Sequence, residues 1–185
     1  MPQLIVTPLN VAKSYYEATG CVLHQWALLE FYMEKIICLL LHRIGPKEGR
    51  LIFSQMNARA KIEVYRALVD KKVPEGEVKK LAQFIGKHAP KLSELRNKIV
   101  HGRWSHPVNK PRTIVLYYVG GSSENRWMPK SYRTTAKNVL AIGGMIEKLN
   151  QSANRIISAL RVHLPLPDIS REEPAPGSPP PNGNS

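Results

Sequence analysis

Asn138 to Val162 reads NVLAIGGMIEKLNQSANRIISALRV, and its apolar residues Val139, Ile142, Ile146, Leu149, Ala153, Ile156 and Leu160 recur three or four positions apart. Residues spaced this way share one side of an α-helix and make a stripe that a neighbouring element must cover. Thr134 is placed to cap this helix, which the pattern carries to about Val162. Gly143 and Gly144 fall inside it. Each costs roughly 1 kcal/mol relative to alanine, a cost explained if a second helix packs closely there.

Working back from this helix, Thr113 to Val119 (Thr-Ile-Val-Leu-Tyr-Tyr-Val) is the one convincing strand. Gly120-Gly121-Ser122-Ser123 and Arg126-Trp127-Met128 after it predict a hairpin. A third helical region runs from Glu77 to about Val100, and Pro90 inside it is expected to kink or split it. Gly102 is placed as a left-handed stop after His101. Leu51 to Asp70 reads as a second helix with Ile52, Met56, Ile62, Tyr65 and Leu68 or Val69 on its buried side. Tyr15 to Arg43 reads as the first, with Leu23, Trp26, Glu30, Met33, Ile37 and Leu40 or Leu41 in a 3-4 rhythm, ended by Gly45-Pro46. That helix is apolar over most of its circumference. The expected fold is all-α, an up-and-down bundle of four to five helices with a short β-hairpin before the last. Residues 1–163 make the domain. Residues 164–185 hold seven of the fifteen prolines and read as a disordered tail.

Composition narrows the function classes. Val22 to Leu41 contains Glu30, Glu34 and Lys35, which argues for a buried helix and against a membrane span. Met1 to Asn10 has no basic leader and is interrupted by Pro2 and Pro8, so no signal sequence is expected. Two cysteines, Cys21 and Cys38, read as small core residues of a reducing, cytoplasmic setting. There is no glycine-rich phosphate loop, no Ser/His/Asp arrangement and no nucleotide-binding βαβ unit. His101 and His106 lack a nearby cysteine or carboxylate to complete a metal set, so neither a metal nor another cofactor is expected. The net charge is +13. Between Lys87 and Lys137, 11 Lys/Arg stand against Glu94 and Glu124, leaving +9 in that segment. Such a field favours an anionic partner, and RNA is the common polyanion of a cytosol.

The chemistry-bearing stretch lies in that segment: Leu95-Arg96-Asn97-Lys98-Ile99-Val100-His101-Gly102-Arg103-Trp104. An arginine holds phosphate through a planar fork of donors, and an imidazole exchanges protons near neutral pH. Together they are the minimum for cutting RNA without a metal, since the ribose 2′-OH is itself the nucleophile. Lys98 and Arg103 add charge beside the pair, and Trp104 is placed either to stack on an unpaired base or to plug the core. Arg126, Lys130 and Arg133 make either a phosphate track along the hairpin or a solvated basic loop. Arg96 has structural alternatives too, as a partner of Glu30, Glu34 or Glu94, and His101 as a cap on the last carbonyls of the helix.

Arg96-Asn97-Lys98-Ile99-Val100-His101 resembles the Arg-polar-x-x-x-His signature of the HEPN superfamily, with Gly102 as a frequent follow-on residue. Leu28-Leu29-Glu30-Phe31 and Ala60-Lys61-Ile62-Glu63-Val64 are also similar to HEPN-like bacterial proteins. The resemblance implies a homodimer whose two motifs face each other across a cleft. It also implies a metal-independent endoribonuclease of the kind found as toxins, in defence systems and in RNA processing. On these positions His101 would take the 2′-OH proton, Arg96 would steady the phosphate, and Asn97 would orient the substrate or the arginine. The alternative within the same resemblance is a non-catalytic module that binds RNA or protein. An antitoxin or other regulatory protein is a possible partner. One branch carries a tyrosine two residues after the histidine that a partner nucleotidylates; Arg103 stands there in this chain, which argues against that mode of control.

Overall fold

The computed structural model describes residues 13–41, 45–105, 114–119 and 129–163. Five helices appear among them: α1 (Lys13–Leu41), α2 (Pro46–Ser54), α3 (Ala58–Lys72), α4 (Glu77–His101) and α5 (Ala136–His163). Strands β1 (Arg103–Ser105), β2 (Ile114–Val119) and β3 (Pro129–Thr134) lie between α4 and α5. They form one antiparallel sheet in the order β1-β2-β3. The fold is the all-α bundle that the apolar periodicity predicts, with a hairpin of β2 and β3 before the last helix. The hairpin's returning arm is Pro129–Thr134; residues 120–123 and 126–128, expected for the turn and arm, lie outside the described residues. The added strand is β1.

Helix directions follow from side-chain neighbours. Gly143 lies against Cys21 and Val22, and Asn150 bonds the Gln25 carbonyl at 3.0 Å. Both contact positions advance together, so α5 runs parallel to α1. Tyr15, at the start of α1, meets Trp104, just past the end of α4, at 5.9 Å between ring centroids. Hence α4 runs the opposite way. Lys79 reaches the Asp70 carbonyl and Gly86 lies on Arg66, which makes α3 antiparallel to α4. These alternations are what an up-and-down arrangement of five helices requires.

The core is built where the sequence stripes converge. Val22, Trp26, Leu29, Met33, Ile36, Ile37 and Leu40 of α1 pack with Ile62, Tyr65 and Val69 of α3, Ile85 and Ile99 of α4, and the whole α5 stripe. Leu23 sits at the rim of the α1 face and is exposed, because the buried arc is centred on Val22 and Leu29. Cys21 and Cys38 are partly buried, at the edge of the core instead of within it.

Several local expectations are corrected. The second helix is two, α2 and α3, separated at Gln55–Asn57. Asn57 starts α3 by accepting a hydrogen bond from the Ala60 amide at 2.9 Å. A helical phase carried across that break misplaces Ile52, which is exposed, while Phe53 is buried. Gly45 and Pro46 follow α1 as expected, and Pro46 also opens α2, at a position where its missing N–H costs nothing. Of the two outcomes expected at Pro90, a kink or a split, the split does not occur: α4 runs through it as one helix. Gly102 is extended (φ −75°, ψ 147°), not left-handed, because the chain passes directly into β1. Thr134 belongs to β3, and Thr135 is the cap, its Oγ1 accepting from the Asn138 amide at 3.2 Å. The proline-rich tail predicted for 164–185 lies outside the described residues. No described helix is long and apolar enough to cross a membrane.

Candidate functional site

The end of α4 is held from below. Ile99 is buried, and its carbonyl accepts from Trp104 Nε1 at 3.0 Å. The Trp104 ring meets Tyr15 edge-on at 82° and packs against the core. Trp104 is half-buried, with the core contact that the plug reading expects. The Gly102 amide donates to the Lys98 carbonyl, closing the last turn.

On this anchored turn the motif residues are half-buried or exposed. Arg96 is half-buried; its Nη1 donates to Asn97 Oδ1 at 2.9 Å, and its Nε is buried with no partner among the described residues. Asn97 and His101 are exposed, and Lys98 is half-buried. Positions five apart on a continuous helix differ by about 140° in azimuth and 7.5 Å along the axis. Arg96 and His101 therefore leave the helix on different sides. Asn97 stands one turn from His101, rotated by only about 40°. By bonding Asn97, the guanidinium is drawn toward the side that carries His101. Of the two partners expected for Asn97, substrate or arginine, the structure shows a bond to the arginine.

The carboxylates expected to compete for Arg96 are engaged elsewhere or do not reach it. Glu34 pairs with Lys61 at 2.7 Å, and Glu30 accepts from Trp26 Nε1 at 2.9 Å. Arg96 has no ion pair among the described residues. This removes the reading in which the arginine is locked inside the bundle by Glu30 or Glu34.

The remaining candidates are spread along the sheet. Arg103 opens β1 opposite Tyr117, Lys130 lies opposite Tyr118, and Arg133 lies opposite Val115 and is exposed. Arg126 and His106 lie outside the described residues. Among the described residues no three His, Cys, Asp or Glu side chains gather as a metal set. A cavity of about 260 Å³ opens between α3 and α4, lined by Arg66, Asp70, Gln83, Gly86, Lys87 and Pro90. It does not include the motif. Sequence reasoning missed the Tyr15–Trp104 anchor and the exposed Phe84–His88 ring pair. The i, i+4 spacing of the second pair was legible; the first, joining residues far apart in sequence, was not.

The chain matches no family model, no curated protein and no solved structure. The HEPN resemblance therefore rests on the motif and its place at the end of a bundle helix.

Proposed function

We propose that the chain is a HEPN-type, metal-independent endoribonuclease that works as a homodimer on RNA in the cytoplasm. The observation that carries this reading is Arg96. Its guanidinium has no carboxylate partner among the described residues, is fixed on Asn97, and lies in the helix end that carries His101 on its exposed side. A cation held in place without an internal counter-charge is suited to an anion from outside. In the reaction, His101 takes the 2′-OH proton and the 2′-oxygen attacks the adjacent phosphorus. The 5′-oxygen leaves and acquires a proton, giving a 2′,3′-cyclic phosphate and a 5′-hydroxyl end. Arg96 stabilises the charge that grows on the phosphoryl oxygens. The angular separation of Arg96 and His101 makes a second copy part of the reading, with each chain completing the other's half-site.

The test is cleavage of single-stranded RNA by purified protein in excess EDTA, comparing the unmodified chain with His101→Ala. His101 is exposed, so its replacement is expected to change stability by no more than about 0.5 kcal/mol while abolishing cleavage. Equal cleavage by the two proteins refutes the assignment. The same angular separation favours a second reading, a non-catalytic RNA-binding module. Salt-sensitive binding without new cyclic-phosphate ends identifies that case.

A further inference from the structure

The outward face of α4 carries an ordered row. Lys80, Phe84, Lys87, Lys91, Glu94, Lys98 and His101 are spaced alternately four and three apart, so they lie in one strip along the helix. All but the half-buried Lys98 are exposed. The opposite side of α4 holds Ala82, Ile85, Gly86, Ala89, Leu92 and Ile99 in the core, which fixes the strip toward solvent. Lys80, Lys87 and Lys91 make no ion pair among the described residues, and Glu94 is the only carboxylate in the row.

Phe84 is 43% exposed, and the His88 ring lies 4.5 Å from it, tilted by 54°. A lone exposed ring is ordinary on a protein surface, but this one stands in a row of lysines and offers a flat face and cations together. It is well explained by a ligand with both flat rings and phosphates. Bases stack on such rings whatever their identity, and neighbouring cations follow the backbone.

We propose that this face of α4 is a track for single-stranded RNA, in which Lys80, Lys87 and Lys91 hold phosphates and the Phe84–His88 pair stacks on an unpaired base. The track rests on the RNA reading of the motif and leads to it. From Phe84 to His101 is about 25 Å along the helix, room for about seven stacked nucleotides at roughly 3.4 Å each. Arg66, on the rim of the cavity that Lys87 also lines, widens the cationic edge on the α3 side. The track explains how a strand reaches His101 with its bases unpaired, the state in which the 2′-OH and phosphate are free to align.

The experiment uses the full-length His101→Ala protein, which holds RNA without cutting it, and a fluorescein-labelled single strand of about twelve nucleotides. Anisotropy is read between about 50 and 200 mM salt. Phe84→Ala is expected to weaken binding about fivefold or more, Phe84→Trp to restore it and Phe84→Leu not to. Replacing both Lys87 and Lys91 by alanine should reduce the slope of log affinity against log salt by about 1.4, roughly 0.7 per phosphate, and replacing both by arginine should keep it. Unchanged affinity in Phe84→Ala overturns the track, as does a duplex RNA that binds as tightly as the single strand. An acidic peptide that displaces the RNA equally from the Phe84→Ala and Phe84→Trp proteins also overturns it, marking a generic basic surface. Failure of the catalytic reading is separable: Phe84-dependent binding with no cleavage by the unmodified chain keeps the track and removes the nuclease. Cleavage with Phe84-independent binding does the reverse.

Discussion

Adjacent glycines in α5 are expected to respond in opposite directions to the same substitution. A Cβ built on Gly143 falls 2.9 Å from Cys21 Sγ and 3.8 Å from Val22 Cγ2, whereas one built on Gly144 meets nothing within 4 Å. In a helix interior, alanine is favoured over glycine by about 0.8–1.0 kcal/mol. Gly144→Ala should therefore stabilise the fold by about that amount, raising Tm by about 2–4 °C for a domain of this size. Gly143→Ala gains the same propensity but drives a methyl into the sulfur of α1. Overpacking of this kind costs about 1–3 kcal/mol, so the net effect is a loss of up to about 2 kcal/mol. Removing the obstacle separates the two contributions. Against a Cys21→Ala background, Gly143→Ala should recover its stabilising sign, with a coupling in the range of about 0.5–3 kcal/mol seen for residues in contact. The assay is urea unfolding followed by circular dichroism on the four proteins of the cycle, with Gly144→Ala as the reference. Equal stabilisation by both alanines, or no coupling to Cys21, refutes the parallel packing of α1 on α5 at this level.

Two further predictions concern a buried and a partly buried titratable group. Burial holds the Tyr65 phenol protonated above the ordinary tyrosine range, and its hydroxyl donates to the Ala82 carbonyl at 3.2 Å. A raised phenol leaves stability intact below about pH 10 and lowers it as pH climbs past the value of the unfolded chain. Tyr65→Phe should cost about 0.5–1.5 kcal/mol at neutral pH, and should show a shallower alkaline loss in unfolding measurements between about pH 9 and 11; an identical alkaline slope would contradict the burial. Burial and, secondarily, the Glu34 carboxylate raise the Cys38 thiol above the ordinary cysteine range. Its thiolate should be scarce at pH 8, so modification by a thiol reagent should be slow in the native protein and accelerate on unfolding; a native rate equal to the unfolded rate counts against it.

The periodic parts of the fold were readable in sequence for a physical reason. A helix that buries one side repeats its apolar residues every turn, and α5 does so without interruption from Val139 to Leu160. Where structure depends on contacts distant in sequence, the pattern is silent. Gln55 to Asn57 breaks a run that still looks periodic, and only the Asn57 cap marks it. Pro90 reads as a kink or a break, yet α4 continues through it, with Ala89 and Leu92 beside it buried. Gly102 suggests a turn by residue type, but pairing of Arg103 with Tyr117 pulls it into an extended strand. The motif itself was legible as Arg96, Asn97 and His101. That the guanidinium would settle on Asn97 and find no carboxylate was not: Glu34 is committed to Lys61 of α3 by the packing of two helices, while Glu30 is held by Trp26 one turn back on α1.

Helix ends normally fray, since their final carbonyls have only solvent to bond. At the end of α4 the indole of Trp104 ties off the Ile99 carbonyl and wedges against Tyr15. The terminal turn is thus tethered to the opposite end of the bundle's longest helix, and opening it means lifting a ring off α1. His101 consequently sits on a stiff platform: its backbone is ordered on folding, and its exposed imidazole keeps its rotamer freedom.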